Sequence, residues 1–246
     1  MKNEPIEHEA MAVDVSGLVK AFGGNRVLRG LDLRVGKGVS LAVLGPNGAG
    51  KTTLIKLLAG IMRPTSGKIR INGYELGSKT QKVLPKIGLV SHKSYLYGNL
   101  SAWENLDFYG RMYGVAKRKE RIAEVLEMVG LFSRRFDRFS TFSRGMQQRM
   151  ALARALLHDP SILFLDEPET GLDQQGMAAI WEILRRGGAR SRSLVFSTHS
   201  FERALSVGDE IAILSGGRIV FQEATSNLEL LELQQKYGEL TRASSQ

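Results

Sequence analysis

The sequence predicts an α/β fold: a mixed central sheet, an N-terminal antiparallel β subdomain and an inserted α-helical subdomain. Three observations predict it. The short apolar runs Leu41–Leu44, Ile162–Leu165 and Leu194–Ser197 lack polar alternation, as expected of central parallel strands covered on both faces. The first of them leads directly into a Gly-rich loop and then into a stretch with helical spacing, Lys51–Ile61. From Ala102 to about Leu157 the apolar period becomes that of helices.

Taken in chain order, Met1–Met11 is polar and acidic and reads as a loose end without the pattern of a secretory signal. Between Val13 and Leu44, apolar alternations punctuated by Gly23-Gly24, Gly30 and Gly36–Gly38 read as strands and hairpin turns. Lys68–Ile71 and Ile87–Val90 read as further strands. In the helical stretch, Leu106, Tyr109, Met112 and Tyr113 fall on one face, and Ile122, Val125, Leu126 and Val129 on another. Trp181 and Leu184 belong to a helix between the second and third apolar runs. Ile211–Leu214 and Arg218–Phe221 make a late hairpin around Gly216-Gly217, and 238–246 reads as a second loose end. The expected boundaries are 12–225 for the main domain, about 98–158 for the helical lobe within it, and 226–246 for a short C-terminal tail.

With 246 residues, 43% of them hydrophobic, the chain can bury a sizeable core without staples. Cysteine is absent, which excludes disulfides and thiolate metal sites. The net charge of +9 is compatible with nucleic acid, an anionic membrane face or polyphosphate ligands. Because the Lys and Arg residues are scattered, with only Lys117, Arg118 and Lys119 clustered, a solvated basic surface is the simpler reading and no nucleic acid is expected. No apolar run is long enough to span a bilayer, and a cytoplasmic location is expected.

The chemistry is concentrated in the Gly-rich loop. Gly45-Pro46-Asn47-Gly48-Ala49-Gly50-Lys51-Thr52-Thr53 fits the pattern G-x-x-x-x-G-K-[ST]. Glycines let backbone N–H groups turn inward around phosphate oxygens, and the following helix adds its positive N-terminus. Lys51 can reach the β- and γ-phosphates of ATP, and Thr52 can present its hydroxyl to Mg²⁺. An ordinary Gly-rich turn would not be expected between a buried strand and a helix with the full motif. The fold expectation therefore sharpens to a P-loop NTPase core. The strand Ile162–Leu165 ends in Asp166 and Glu167. Asp166 is suited to holding Mg²⁺ through water and Glu167 to polarising the attacking water.

Further motifs follow in order. Phe22 lies upstream of the loop. Phe142-Ser143-Arg144-Gly145-Met146-Gln147-Gln148-Arg149 is followed by a helix with small residues, up to His158-Asp159-Pro160. Then come Thr170-Gly171-Leu172-Asp173 and Ser197-Thr198-His199. Taken together, residues 13–225 resemble the nucleotide-binding domains of ABC transporters. The resemblance implies that Phe22 stacks on adenine, that Phe142–Arg149 is the signature, that 170–173 is the D-loop and that His199 is the switch histidine. It also implies a second ATP-binding subunit, with a homodimer expected, in which Ser143 and Gly145 of one copy face the γ-phosphate bound by the other. Integral membrane permease subunits would be the remaining partners, placing the chain on the inner face of the cell membrane.

Three positions, in two motifs, depart from the family pattern. Arg144 and Met146 replace the first glycine and the glutamine of the usual signature. His92 stands where the Q-loop glutamine is usual, so a catalytic role is expected for it. Ser91-His92, Leu96-Tyr97, Glu104–Tyr109 and Ser143–Gln147 are similar to the ATP-binding subunit of the haem exporter of cytochrome c maturation. That is the narrower reading taken first; the same residues also occur in ABC-2-type exporters of drugs, polysaccharides or lipids, which are the alternative. Of the face with Trp103, Leu106, Phe108 and Tyr109, Leu106 and at least one ring are expected in the core, and part of the rest, with Tyr95 and Tyr97, is expected to form a groove for a short helix of the membrane subunit. A soluble ABC ATPase acting on ribosomes or DNA is disfavoured by the single P-loop and by the lack of long insertions. A regulatory module without turnover is disfavoured by the intact Lys51, Asp166, Glu167 and His199.

Overall fold

The computed structural model describes residues 11–77, 80–169, 174–186 and 192–242. Two long strands open the chain, β1 (Met11–Phe22) and β2 (Asn25–Gly36), paired antiparallel around Gly23-Gly24. In β1, Val13, Val15 and Leu18 are buried in one core, a spacing that a regular strand would split between two faces. A bulge absorbs the extra residue: the register shifts between Val15 and Leu18, and Gly17 takes φ 57° there. With β4 (Ser66–Ile71) and β5 (Tyr74–Glu75) these strands form an antiparallel sheet of order β2-β1-β4-β5.

The second sheet holds β3 (Ser40–Leu44), β6 (Ile87–Val90), β7 (Ile162–Asp166), β8 (Ser193–Ser197), β9 (Glu210–Ser215) and β10 (Arg218–Ala224). Its order is β10-β9-β3-β8-β7-β6. All neighbours are parallel except β10, which folds back on β9 through Gly216 and Gly217, both at positive φ. Apolar side chains alternate between two cores. Leu41 and Val43 face the antiparallel sheet, while Ala42 and Leu44 face the helices on the other side.

Helix α1 (Lys51–Leu58) follows β3. It stops three residues before the Ile61 expected from the sequence, because Gly60 turns left-handed at φ 71° and the Ile61 amide closes back on Lys56 O. A single turn, α2 (Thr80–Val83), precedes β6. The helical lobe is built from α3 (Ala102–Met112), α4 (Arg118–Met128) and α5 (Arg144–Leu156), around its own cluster with Leu106, Ile122, Val125, Leu126 and Met150. The inward face of α3 differs from the expected one. Met112 is 57% exposed, and Asn105 is buried in its place. The Asn105 amide is saturated by Tyr97 N, Tyr97 O, Leu100 O and Ser101 O, which removes the usual cost of burying it.

The remaining helices are α6 (Gln174–Arg186), α7 (Phe201–Val207) and α8 (Leu230–Arg242). The C-terminal stretch is thus no loose end as far as Arg242. Leu233, Tyr237 and Leu240, at helical spacing, pack on the second core, and the Tyr237 ring meets Phe201 edge-on at 5.1 Å. Among the described residues no helix is long and apolar enough to cross a membrane.

Candidate functional site

The phosphate loop, 45–50, leaves the buried end of β3 and enters α1. Its glycines are dictated by close approach. A Cβ on Gly45 would stand 2.3 Å from Leu214 O, and one on Gly50, at φ 107°, would stand 2.9 Å from Leu28 Cδ2. Pro46 is half-buried, Asn47 and Gly48 are exposed, and Ala49 is buried with its amide on Pro46 O. Gly50 caps α1 without a side chain, and no acidic residue lies in the first turn. The first N–H groups of α1, with half-buried Thr52 and Thr53, therefore remain open to an anion.

Lys51 is buried, and its Nζ donates to Gly45 O at 2.7 Å and Pro46 O at 3.3 Å. Burial lowers its pKa, and the nearby Glu167 and Asp166 carboxylates partly oppose that. Its charge is therefore held in place by carbonyls and carboxylates at the mouth of the loop.

Across from α1, β7 delivers Asp166 and Glu167. Asp166 is 1% exposed, and its Oδ1 accepts from the Thr52 hydroxyl at 3.0 Å and the Ser197 hydroxyl at 3.1 Å. Oδ2 is buried and has no hydrogen-bond partner. Glu167 departs from the strand at φ 49°, a left-handed conformation costing about 1–3 kcal/mol for a non-glycine residue. Its amide donates to Ser197 Oγ at 3.0 Å. His199 Nε2 donates to Glu167 Oε1 at 2.8 Å, and His92 Nε2 stands 3.7 Å from Oε2. Glu167 is thus flanked by an imidazole on each carboxylate oxygen.

The residues fit Mg²⁺. Among the described residues no three His, Cys, Asp or Glu side chains form a metal cage. Mg²⁺ bound with a nucleotide does not need one, since phosphates and water supply most of its ligands. The donorless Oδ2 of Asp166 and the lone pairs of Thr52 Oγ1 are hard oxygen donors of the required kind.

The other expected residues are spread over the molecule. Phe22 ends β1 with its ring 48% exposed and the Lys20 ammonium 4.9 Å from its centroid. Ser143 caps α5, accepting from Met146 N at 3.3 Å, and Gly145 lies in the first turn. Both belong to the helical lobe, not to the phosphate loop. The stretch Thr170–Asp173 lies outside the described residues. Three residues were given no role of their own from the sequence. Ser197 bridges Asp166 and Glu167. Glu169 accepts from Thr198 Oγ1 and Trp181 Nε1 and pairs with Arg203 at 3.4 Å. Gln148 Nε2, on α5, donates to Pro168 O at 2.8 Å. The available signal was positional: Ser197 ends the strand beside the one carrying the carboxylates.

Between core and lobe lies a groove of about 520 Å³, lined by Ile61, Leu84, Tyr95, Tyr109, Met112 and Arg154 among others. Tyr109 Oη donates to Tyr95 O across it. Only part of the expected face reaches it, Leu106 lies in the core as expected, and Tyr97 alone of the two flanking tyrosines is not among the lining residues. Tyr95 and Tyr109 line the groove, Leu106 is buried in the lobe, Trp103 packs by Phe136, and Tyr97 pairs edge-on with Phe108.

Residues 28–170 match the family model described as ABC transporter. The linearmycin resistance ATP-binding protein of Bacillus subtilis is 38% identical over 85% of this chain and 68% of its own. The Nod factor export ATP-binding protein I of Rhizobium sp. (strain N33) is 39% identical over 85% of this chain and 69% of its own. The daunorubicin/doxorubicin resistance ATP-binding protein of Streptomyces peucetius is 36% identical over 89% and 67%. Among solved structures, the ATP-binding subunit of an ABC transporter superposes with TM-score 0.83 at 29% identity, covering 94% of this chain and 99% of that one. A dimeric ATP-binding cassette bound to ADP and phosphate, in a post-hydrolysis state, gives TM-score 0.79 at 27% identity, covering 87% and 98%.

Proposed function

The chain belongs to the ABC transporter ATP-binding family and is an ATPase of that type; from this premise we propose that it powers an ABC-2-type exporter of a drug, polysaccharide or lipid. The relatives named for antibiotic resistance and Nod factor export support this reading over haem export. The carrying observation for the chemistry is the convergence of Lys51, Thr52, Asp166 and Glu167 on one side of the phosphate loop.

Phe22 stacks on adenine, and residues 45–53 wrap the phosphates. Lys51 offsets the charge of the γ-phosphate. Thr52 and Asp166 hold Mg²⁺, which when bound screens the phosphate oxygens. Glu167 polarises a water and takes its proton as the water oxygen attacks the γ-phosphorus and the bond to the ADP oxygen breaks, leaving ADP and phosphate. His199 and His92 keep the Glu167 carboxylate oriented. Ser143 and Gly145 complete the site of a second copy in a head-to-tail homodimer, as the solved cassette dimers encourage. The groove between core and lobe receives a short helix of the membrane subunit, which brings the chain to the inner membrane face.

Glu167→Gln is expected to keep ATP binding, cut turnover by at least about 100-fold and trap an ATP-bound dimer. Co-expressed with its membrane subunits, the wild-type chain should lower cellular accumulation of a fluorescent drug, and the Glu167→Gln chain should not. Equal accumulation with both, together with loss of c-type cytochromes on deletion, would return the protein to haem export. Wild-type turnover by Glu167→Gln would remove Glu167 from the role of base.

A further inference from the structure

Ser197 is fully buried at the end of β8, in register with Asp166 on β7. A hydroxyl has one hydrogen to give and lone pairs to accept with. The Ser197 hydrogen goes to Asp166 Oδ1 and a lone pair takes the Glu167 amide, so one side chain is bonded to both acidic residues. Thr52 donates to the same Oδ1. Both hydroxyl donors to Asp166 therefore converge on one oxygen, and the buried Oδ2 is left without any. Leaving a buried carboxylate oxygen donorless is costly unless a cation completes it. The Glu167 amide, in turn, belongs to a residue in a left-handed conformation, which a hydrogen bond must hold.

We propose that Ser197 is a positioning residue for hydrolysis: it fixes which Asp166 oxygen faces the metal and locks the turn that aims Glu167 at water. The inference rests on the roles of Asp166 and Glu167 given above. It requires Ser197 to act through both neighbours at once, on metal affinity through Asp166 and on kcat through Glu167, with no part in holding the nucleotide itself.

Three variants of the full chain test it, each compared with wild type in ATPase turnover, Mn²⁺ affinity by electron paramagnetic resonance with a non-hydrolysable ATP analogue, and ATP affinity in EDTA. Ser197→Ala is expected to lower kcat and Mn²⁺ affinity roughly tenfold each, while metal-free ATP affinity stays within about twofold. Ser197→Thr, which keeps the hydroxyl, is expected to restore both. Ser197→Cys fills the same space with a weak donor and carries the test if the alanine variant does not fold, with the same split expected. Wild-type kcat and Mn²⁺ affinity in the Ala or Cys variant overturn the proposal, and so does an equal loss of metal-free ATP binding. Glu167→Gln serves as the reference arm. If it stays active, the reading of the site fails; if it is inactive while Ser197→Ala turns over normally, only the role of Ser197 fails.

Discussion

Helices α1 and α3 both start from a loop, yet their first turns are finished in opposite ways. At α3, Ser101 and Glu104 form a full capping box: Ser101 Oγ accepts from Glu104 N, and Glu104 Oε2 accepts from Ser101 N at 2.8 Å. At α1, Gly50 offers no side chain and the first turn carries no acid. One helix start is closed by its own residues and serves only stability. The other leaves its amides open and spends cap stability on a ligand. Helix α5 lies between them, with Ser143 accepting from Met146 N and no acidic residue in its first turn.

The comparison breaks most sharply at Lys51. Lys51→Ala removes the one side chain that gives the open helix start a full positive charge. ATP affinity should fall about 100-fold, as for a lost charge-assisted contact of ~3 kcal/mol, in a fluorescent-nucleotide titration. An unchanged affinity would mean that the open amides suffice.

Ser143→Ala and Ser101→Ala sharpen it next. Each should cost about 1 kcal/mol in urea unfolding, as loss of a cap does. Only Ser143→Ala should also lower turnover, about tenfold, because its helix start is proposed to serve a second copy's phosphate. Equal turnover in the two variants would make α5 a purely structural helix start.

The smallest effect belongs to the other end of α5. His158 Nε2 donates to Ile87 O at 2.9 Å, its Nδ1 is buried without a partner, and its ring stacks on Tyr113 at 4.0 Å. Burial lowers its pKa from the ordinary 6.5, so the folded state resists the second proton that the unfolded state accepts. Its contribution is therefore whole above pH 6.5 and declines as the pH falls from there towards the folded-state value. Unfolding midpoints should drop over that range in wild type and drop less in His158→Gln.

The phosphate loop and the Asp166-Glu167 pair were legible because their chemistry is consecutive along the chain, and so was the alternation of buried strands. What was not legible depends on contacts across the fold. Nothing in the spacing of α3 says that Asn105 takes the inward position, since its burial depends on four backbone groups of the loop before it. Ser197 is 30 residues from Glu167 in sequence, and only the β7–β8 register brings them together. Which of the aromatics reach the groove was not legible for the same reason: helical period tells which residues share a face, not which neighbour that face meets. The C-terminal helix was missed because it buries a single residue fully, Leu233, within a polar stretch.

The indole of Trp181 gives the molecule an optical reporter of its own. It is 1% exposed, lies edge-on to Phe196 at 5.0 Å, and gives its N–H to Glu169, two residues past Glu167. The Arg203 guanidinium sits 5.6 Å from its ring. The only other tryptophan, Trp103, is half-buried in the helical lobe beside Phe136. Emission from the buried indole is expected to lie to the blue of that from the wetter one, which weights the blue edge of the combined band towards Trp181. A shift of Glu169 alters the charge at the Trp181 N–H, and the colour and yield of its fluorescence change with it, with no dye attached.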